Sequence, residues 1–128
     1  MILKGNKVIL RPIELSDAPR FVKWLSDSTV NKFTTRRNIS LKEEKRWIRS
    51  LLKNEKTEKI FATDTKDGIH IGSTGLHHID SRDKNARFGI LIGDKKYWNQ
   101  GYGKDAAEVY TQFWFQQIKP LPNRVGRL

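Results

Sequence analysis

The run Tyr97-Trp98-Asn99-Gln100-Gly101-Tyr102-Gly103-Lys104-Asp105-Ala106 follows directly on the apolar stretch Phe88-Gly89-Ile90-Leu91-Ile92-Gly93. Together they read as a buried strand, a short basic loop and a helix opened by two glycines. The first backbone N–H groups of a helix have no intrahelical partner, and the helix dipole puts partial positive charge at the same end. Pointed at one spot, such groups hold an anion, most often a phosphate. Glycine suits the position because a residue without Cβ lets the backbone approach a pyrophosphate closely. Lys95, Lys96 and Lys104 flank the loop, which favours a phosphate site over a plain strand-to-helix turn. The spacing Gly101-x-Gly103-x-x-Ala106 also fits a dinucleotide-binding fingerprint loosely. That fingerprint should open a βαβ unit with an acidic residue about twenty positions on, whereas this chain continues into a basic tail.

The elements that must carry this loop are legible in the pattern. Lys7 to Leu15 is rich in β-branched residues and reads as a first strand, with Pro12 at an edge or at the strand's end. Ser16-Asp17 starts a helix whose Ala18, Phe21, Val22 and Leu25 form an apolar stripe, and Asp27-Ser28-Thr29 closes it. Thr34 to Asn38 is a polar loop. Ser40-Leu41-Lys42-Glu43 is a capping box, with Glu44, Trp47, Ile48, Leu51 and Leu52 following at helical spacing. Lys59 to Asp64 switches to strand character, Asp67-Gly68 signals a hairpin, and His70 to Ile79 returns. After a polar turn, Ala86 to Gly93 places Phe88, Ile90 and Ile92 on one face and Leu91 on the other. A strand apolar on both faces is expected in the middle of a sheet.

Composition bounds the function. A chain of 128 residues is long enough to bury a core and is expected to form one domain, 1–128. It has no cysteine, which removes disulfides and thiolate metal sites. No signal-peptide h-region and no membrane span is legible, so a cytoplasmic setting is expected. The formal net charge of +11 points to an anionic partner: a polyphosphate, a nucleic acid or an acidic surface.

With these residues in view, the chain resembles the GNAT superfamily of acetyl-CoA-dependent N-acetyltransferases, and within it the branch of ribosomal-protein N-terminal acetyltransferases. Leu10-Arg11-Pro12, Ile71-Gly72, Gly75-Leu76, Phe88 to Gly93 and Tyr97 to Ala106 carry the resemblance. It implies an α/β (α+β) fold of GNAT type, with a mostly antiparallel central sheet flanked by helices. It implies transfer of acetyl from acetyl-CoA to a primary amine by direct attack, with no metal. The pyrophosphate loop then maps onto Trp98, Asn99, Gln100, Gly101, Tyr102, Gly103 and Lys104, with the amides from Gln100 to Lys104 facing the CoA phosphates. The strand Ile90-Leu91-Ile92 would offer backbone groups to the pantetheine arm and one N–H to the thioester carbonyl, an oxyanion donor.

Three expectations remain. Relatives often carry a Glu in the central strand where this chain has Arg87, so the base is unassigned. His77, His78 and Asp80 lie at the end of the neighbouring strand and could serve, and adjacent histidines on a strand point to opposite faces. After Thr111 the family motifs stop, and 112–128 is expected to be a non-native tail. One choice of A/T-rich codons for it, read one nucleotide later, spells N-F-G-F-N-K-L-N-L-Y-R-I-E-L-E-D, the pattern a full-length relative would continue with. On that reading the C-terminal half of the fold is missing, the sheet edge is open to pairing in a homodimer, and activity is in question. The alternatives are a non-catalytic CoA-binding remnant, or a basic nucleic-acid-binding module using Arg36, Arg37, Arg46 and Arg49 with stacking by Phe113, Trp114 and Phe115.

Overall fold

A computed structural model describes residues 1–118 apart from 33, 57 and 81–84, without the side chains of 78, 80, 85, 86, 117 and 118. The side chains of His78 and Asp80, and residues 119–128 of the expected tail, therefore lie outside the described residues.

Strand β1 (Leu3–Lys4) and strand β2 (Val8–Pro12) come first, then a 3-10 turn at Leu15–Asp17 and helices α1 (Ala18–Leu25), α2 (Ser28–Asn31) and α3 (Leu41–Lys53). Strands β3 (Lys59–Thr65), β4 (His70–Asp80) and β5 (Asn85–Ile92) follow, and after a 3-10 turn at Lys95–Tyr97 helix α4 (Tyr102–Phe113) runs on into a π turn at Trp114–Ile118. The strands form one sheet in the order β1-β2-β3-β4-β5, antiparallel throughout. Helices α1 and α3 cover one face through Phe21, Trp24, Ile48 and Leu51. Helix α4 covers the other through Ala106, Tyr110 and Phe113, packed on Val8, Leu10, Phe61 and Leu76.

Local signals hold where the chemistry is local. The Ser40 hydroxyl accepts from the Glu43 amide at 3.1 Å and the Glu43 carboxylate accepts from the Ser40 amide at 3.1 Å, the expected capping box. Gly68 takes φ +85° in the hairpin. Pro12 ends β2. Two readings are corrected. Asp27 does not close α1: its carboxylate accepts from the Thr29 amide at 2.9 Å and caps a new short helix, α2. Strand β5 is not central but lies at the sheet's edge among the described residues. Leu91 packs into the α1–α3 cluster and Phe88 meets Tyr110 of α4, yet Phe88 and Ile90 remain exposed.

Arg11, from the Leu10-Arg11-Pro12 motif, organises the polar interior. Its guanidinium donates twice to Asp17 (2.9 and 2.8 Å) and through Nε to Asp64 (2.8 Å), tying β2 to the turn before α1 and to β3. Asp17 also accepts from the Glu14 amide at 2.8 Å and from Arg20. The Nε–H of Arg20 donates to Nδ1 of buried His70 at 2.7 Å, so the ring carries its proton on Nε2 and donates it to the Gly72 carbonyl at 2.8 Å. His70 is thereby neutral, and burial holds its pKa below the ordinary histidine value.

Candidate functional site

The loop between β5 and α4 is built by two residues in the left-handed region, Asn99 at φ +60° and Gly101 at φ +88°. Gly101 is the N-cap of α4 and supplies no side-chain acceptor. Among the described residues, no well-formed hydrogen bond takes up the amides of Gln100, Gly101, Tyr102, Gly103 or Lys104. The first helix amide with a partner is that of Asp105, bonded to the Gly101 carbonyl at 3.0 Å. A Cβ placed on Gly103 would stand 3.8 Å from Ile92 and 3.9 Å from Ile90, in ordinary contact, so sterics within the chain do not require glycine there.

Asp105 holds this helix end in place. Its carboxylate accepts from the amides of Asn6 (3.2 Å), Lys7 (2.8 Å) and Val8 (3.0 Å), clamping the β1–β2 turn to the first turn of α4. The clamp brings the Lys7 ammonium 5.2 Å from the centre of the Tyr102 ring and its side chain beside Gly101. Sequence reasoning missed Lys7: nothing local marks it, since its position is set by a carboxylate 98 residues away. Of the lysines expected to flank the loop, Lys95 is turned outward and pairs with Asp27 at 2.9 Å, which holds the Asp27 carboxyl below its ordinary range. Trp98 donates its indole N–H to the Ile92 carbonyl at 2.6 Å and caps the end of β5.

A cleft of about 460 Å³ gathers the expected residues Ile90, Leu91, Ile92, Trp98, Asn99, Gly101, Tyr102, Gly103 and Lys104, together with Val30, Thr34 and Tyr97. Gln100 is not among its walls; its side-chain amide donates to the Lys96 carbonyl at 2.6 Å. The backbone of β5 completes the geometry. Gly93 donates to the Ile71 carbonyl at 2.7 Å. By antiparallel alternation Leu91 and Gly89 also face β4, which turns the main-chain groups of Ile92, Ile90 and Phe88 toward the open edge. The Ile92 carbonyl is taken by Trp98. The main chain of Ile90 thus lies in the cleft wall at the open edge.

A second cavity of about 470 Å³ adjoins the first and shares Thr34, Ile90 and Leu91 with it. Its walls include Glu58, Ser73, His77, Arg87 and Gly89. His77 Nδ1 stands 3.7 Å from Glu58 Oε1. Of the candidate bases, His77 is therefore in a cavity next to the cleft, and Glu58 beside it is a residue that sequence reasoning did not single out. Arg36, considered for phosphate, instead donates to buried Glu44 and stacks on Trp47 with its guanidinium carbon 3.6 Å from the ring centre.

The acetyltransferase (GNAT) domain family matches residues 7–125. The chain belongs to this family. The match continues past Thr111, where the motif resemblance had ended. The α/β-tubulin-N-acetyltransferase 9 of Drosophila melanogaster is 25% identical, over 85% of this chain and 60% of its own length. This chain thus spans less than two thirds of that relative. Among solved structures, a GNAT-family acetyltransferase from Bacillus anthracis superposes with a TM-score of 0.75 at 21% identity, covering 93% of this chain and 69% of that one. The ribosomal-protein α-N-acetyltransferase RimL, solved with coenzyme A, gives 0.70 at 16% identity over 89% and 67%. These likenesses establish the GNAT-type fold expected from the motifs. No helix among the described residues is long and apolar enough to cross a membrane, and no cluster of His, Asp and Glu among them could hold a metal ion.

Proposed function

We propose that this GNAT domain binds acetyl-CoA in the first cleft and passes its acetyl group to a primary amine held in the second. One observation carries the reading. The unpaired amides from Gly101 to Lys104, the bare backbone of Gly103 and the open edge of Ile90 converge on one cleft. A pyrophosphate needs several convergent donors and a close backbone approach; the α4 terminus supplies both, with Lys7 and Lys104 adding charge. The pantetheine arm would then lie along the edge of β5, and the Ile90 N–H would meet the thioester oxygen as negative charge develops there. The proposed cofactor-contacting residues are Ile90, Leu91, Ile92, Trp98, Asn99, Gln100, Gly101, Tyr102, Gly103 and Lys104. The side chains of Trp98 and Gln100 are engaged by the Ile92 and Lys96 carbonyls and hold the loop, so these two residues would contribute through their backbone.

For the acceptor we favour a protein N-terminus, in keeping with the fold relative RimL, a protein α-N-acetyltransferase; the tubulin N-acetyltransferase relative likewise has a protein as its acceptor. Calorimetric titration of acetyl-CoA, beside a nucleotide of equal charge, tests the first half of the reading. Binding selective for acetyl-CoA and retained at moderate salt is expected. Binding matched by the nucleotide and abolished by salt would instead mark a general polyanion surface. A panel of free-N-terminal peptides, a polyamine and an aminoglycoside then ranks the acceptors.

A further inference from the structure

The second cavity holds one arrangement that the family relationship does not specify. His77 is on β4, opposite Arg87 on β5, and the two share a sheet face with Gly89 and Leu91. Its Nδ1 faces Glu58 at 3.7 Å. Its other nitrogen, Nε2, lies over Gly89, where an ideal Cβ would stand 3.6 Å away. Because Gly89 has no side chain, that volume belongs to the cavity, and the next residue, Ile90, is shared with the cleft. The His77 side chain is one-third exposed (33%) and that of Glu58 largely buried (16%), so the imidazole meets the cavity and the carboxylate stands behind it.

We propose that His77 takes the proton from the acceptor amine, with Glu58 as the positioning residue that orients the ring and stabilises its charged form; this rests on the reading of the two cavities given above. An acceptor ammonium gives one proton to His77 Nε2. The freed lone pair forms the N–C bond, the C–S bond breaks, and the departing thiolate takes a second proton from the acceptor nitrogen. One N–H remains in the amide, and the proton on His77 passes to solvent. A carboxylate near Nδ1 favours the imidazolium formed in the first step. Among the described residues the other charged groups on this cavity are Arg87 and Arg36, the latter neutralised by Glu44. Arg87 opposes protonation of the ring, so Glu58 must outweigh it.

The test uses the full chain and its variants His77→Gln, Glu58→Gln and Glu58→Asp, each checked by calorimetry for CoA affinity. Imidazole NMR is recorded across the neutral pH range, with CoA and with carboxamidomethyl-CoA, whose amide extends past the sulfur toward the amine site. The expected result is a His77 resonance that moves with carboxamidomethyl-CoA more than with CoA, while His70 does not move. Its titration midpoint should fall in Glu58→Gln and return in Glu58→Asp. With the best amine of the panel, His77→Gln should lower kcat by about a hundredfold at unchanged CoA affinity, and the acid limb of the rate profile should follow the NMR midpoint. CoA binding with a His77 resonance indifferent to the amide probe, or a Glu58→Gln profile that overlays wild type, overturns the assignment while the cofactor reading stands. Absence of CoA binding in the wild type overturns both.

Discussion

Two regions of this chain concentrate polar groups, and they dispose of them in opposite ways. Around Arg11, nearly every donor meets an acceptor: Asp17 takes Arg11, Arg20 and the Glu14 amide, Asp64 takes Arg11, and His70 is bonded at both nitrogens. The one buried polar side-chain atom without a partner among the described residues is Asp64 Oδ1. At the start of α4 the balance is reversed, with a row of backbone donors and no protein acceptor. A saturated network fixes a fold. A region left with donors facing an open cleft is prepared for a ligand. The contrast separates two motifs that a sequence presents alike: Leu10-Arg11-Pro12 serves architecture, and Gln100 to Lys104, on the function proposed above, serves binding.

The sharpest way to break this division is to remove Arg11. Arg11→Ala leaves Asp64 without its cation and Asp17 with Arg20 alone, which should cost about 3 kcal/mol. The urea midpoint should drop accordingly, and CoA affinity should fall only to the extent that unfolded chain accumulates. An Arg11→Ala protein of near-native stability would show that the network is peripheral.

Protons attack the same region in a defined order. His70 is neutral when folded and its pKa is lowered, so the unfolded chain binds that proton more readily; this contribution is complete above the ordinary histidine pKa and lost as pH falls through the lowered value. Asp17 is desolvated, yet bonds from Arg11 and the Glu14 amide bring its pKa down to about 2. Its contribution, about 2 kcal/mol, is present above pH 4 or so and lost as pH falls toward 2. Stability should therefore decline in two steps on acidification, the first absent in His70→Gln. A single step in the wild type would contradict the neutral ring.

The two glycines of the loop sharpen the comparison from the other side. Gly101→Ala forces a side chain into φ +88° and should cost about 1 kcal/mol of stability as well as CoA affinity, because the amide row moves. Gly103→Ala is helical and unhindered; it should gain about 0.5 kcal/mol while weakening CoA binding about tenfold. A variant more stable yet poorer at binding is the signature of a residue kept for a ligand. Equal or better binding would remove Gly103 from the site.

How much of this was legible in advance depended on the range of the interaction. The Ser40–Glu43 box, the Asp67-Gly68 hairpin and the glycine-opened α4 are written within a few residues, and each formed as read. The GNAT-type fold was implied by the family resemblance of motifs such as Leu10-Arg11-Pro12 and Tyr97 to Ala106. Cleft residues contributed by β5 and the loop came together because they are contiguous, whereas Val30 and Thr34 enter from the far end of the chain and carry no mark. Asp105 has no role legible in the sequence; only the fold shows that it clamps residues 6–8. The place of β5 differs from the expectation because apolar residues on both faces implied cover on both, whereas Phe88 and Ile90 are exposed and β4 is its one neighbour among the described strands.

The smallest effects distinguish the lysines, which the sequence placed together and the fold takes apart. Lys95 is committed to Asp27 at 2.9 Å, while Lys104 lines the cleft and Lys7 reaches Gly101 from the β1–β2 turn. Lys95→Ala should leave CoA affinity unchanged at any ionic strength. Lys104→Ala and Lys7→Ala should each weaken it a few-fold at low salt, and less once the Debye length shrinks to about 8 Å near physiological ionic strength. The melting temperature should scarcely move in any of the three, since exposed cations contribute little to folding. If Lys95→Ala weakens binding as much as Lys104→Ala, the anion is held by diffuse charge, and the contrast between a built donor row and a merely basic surface fails at the point where it matters most.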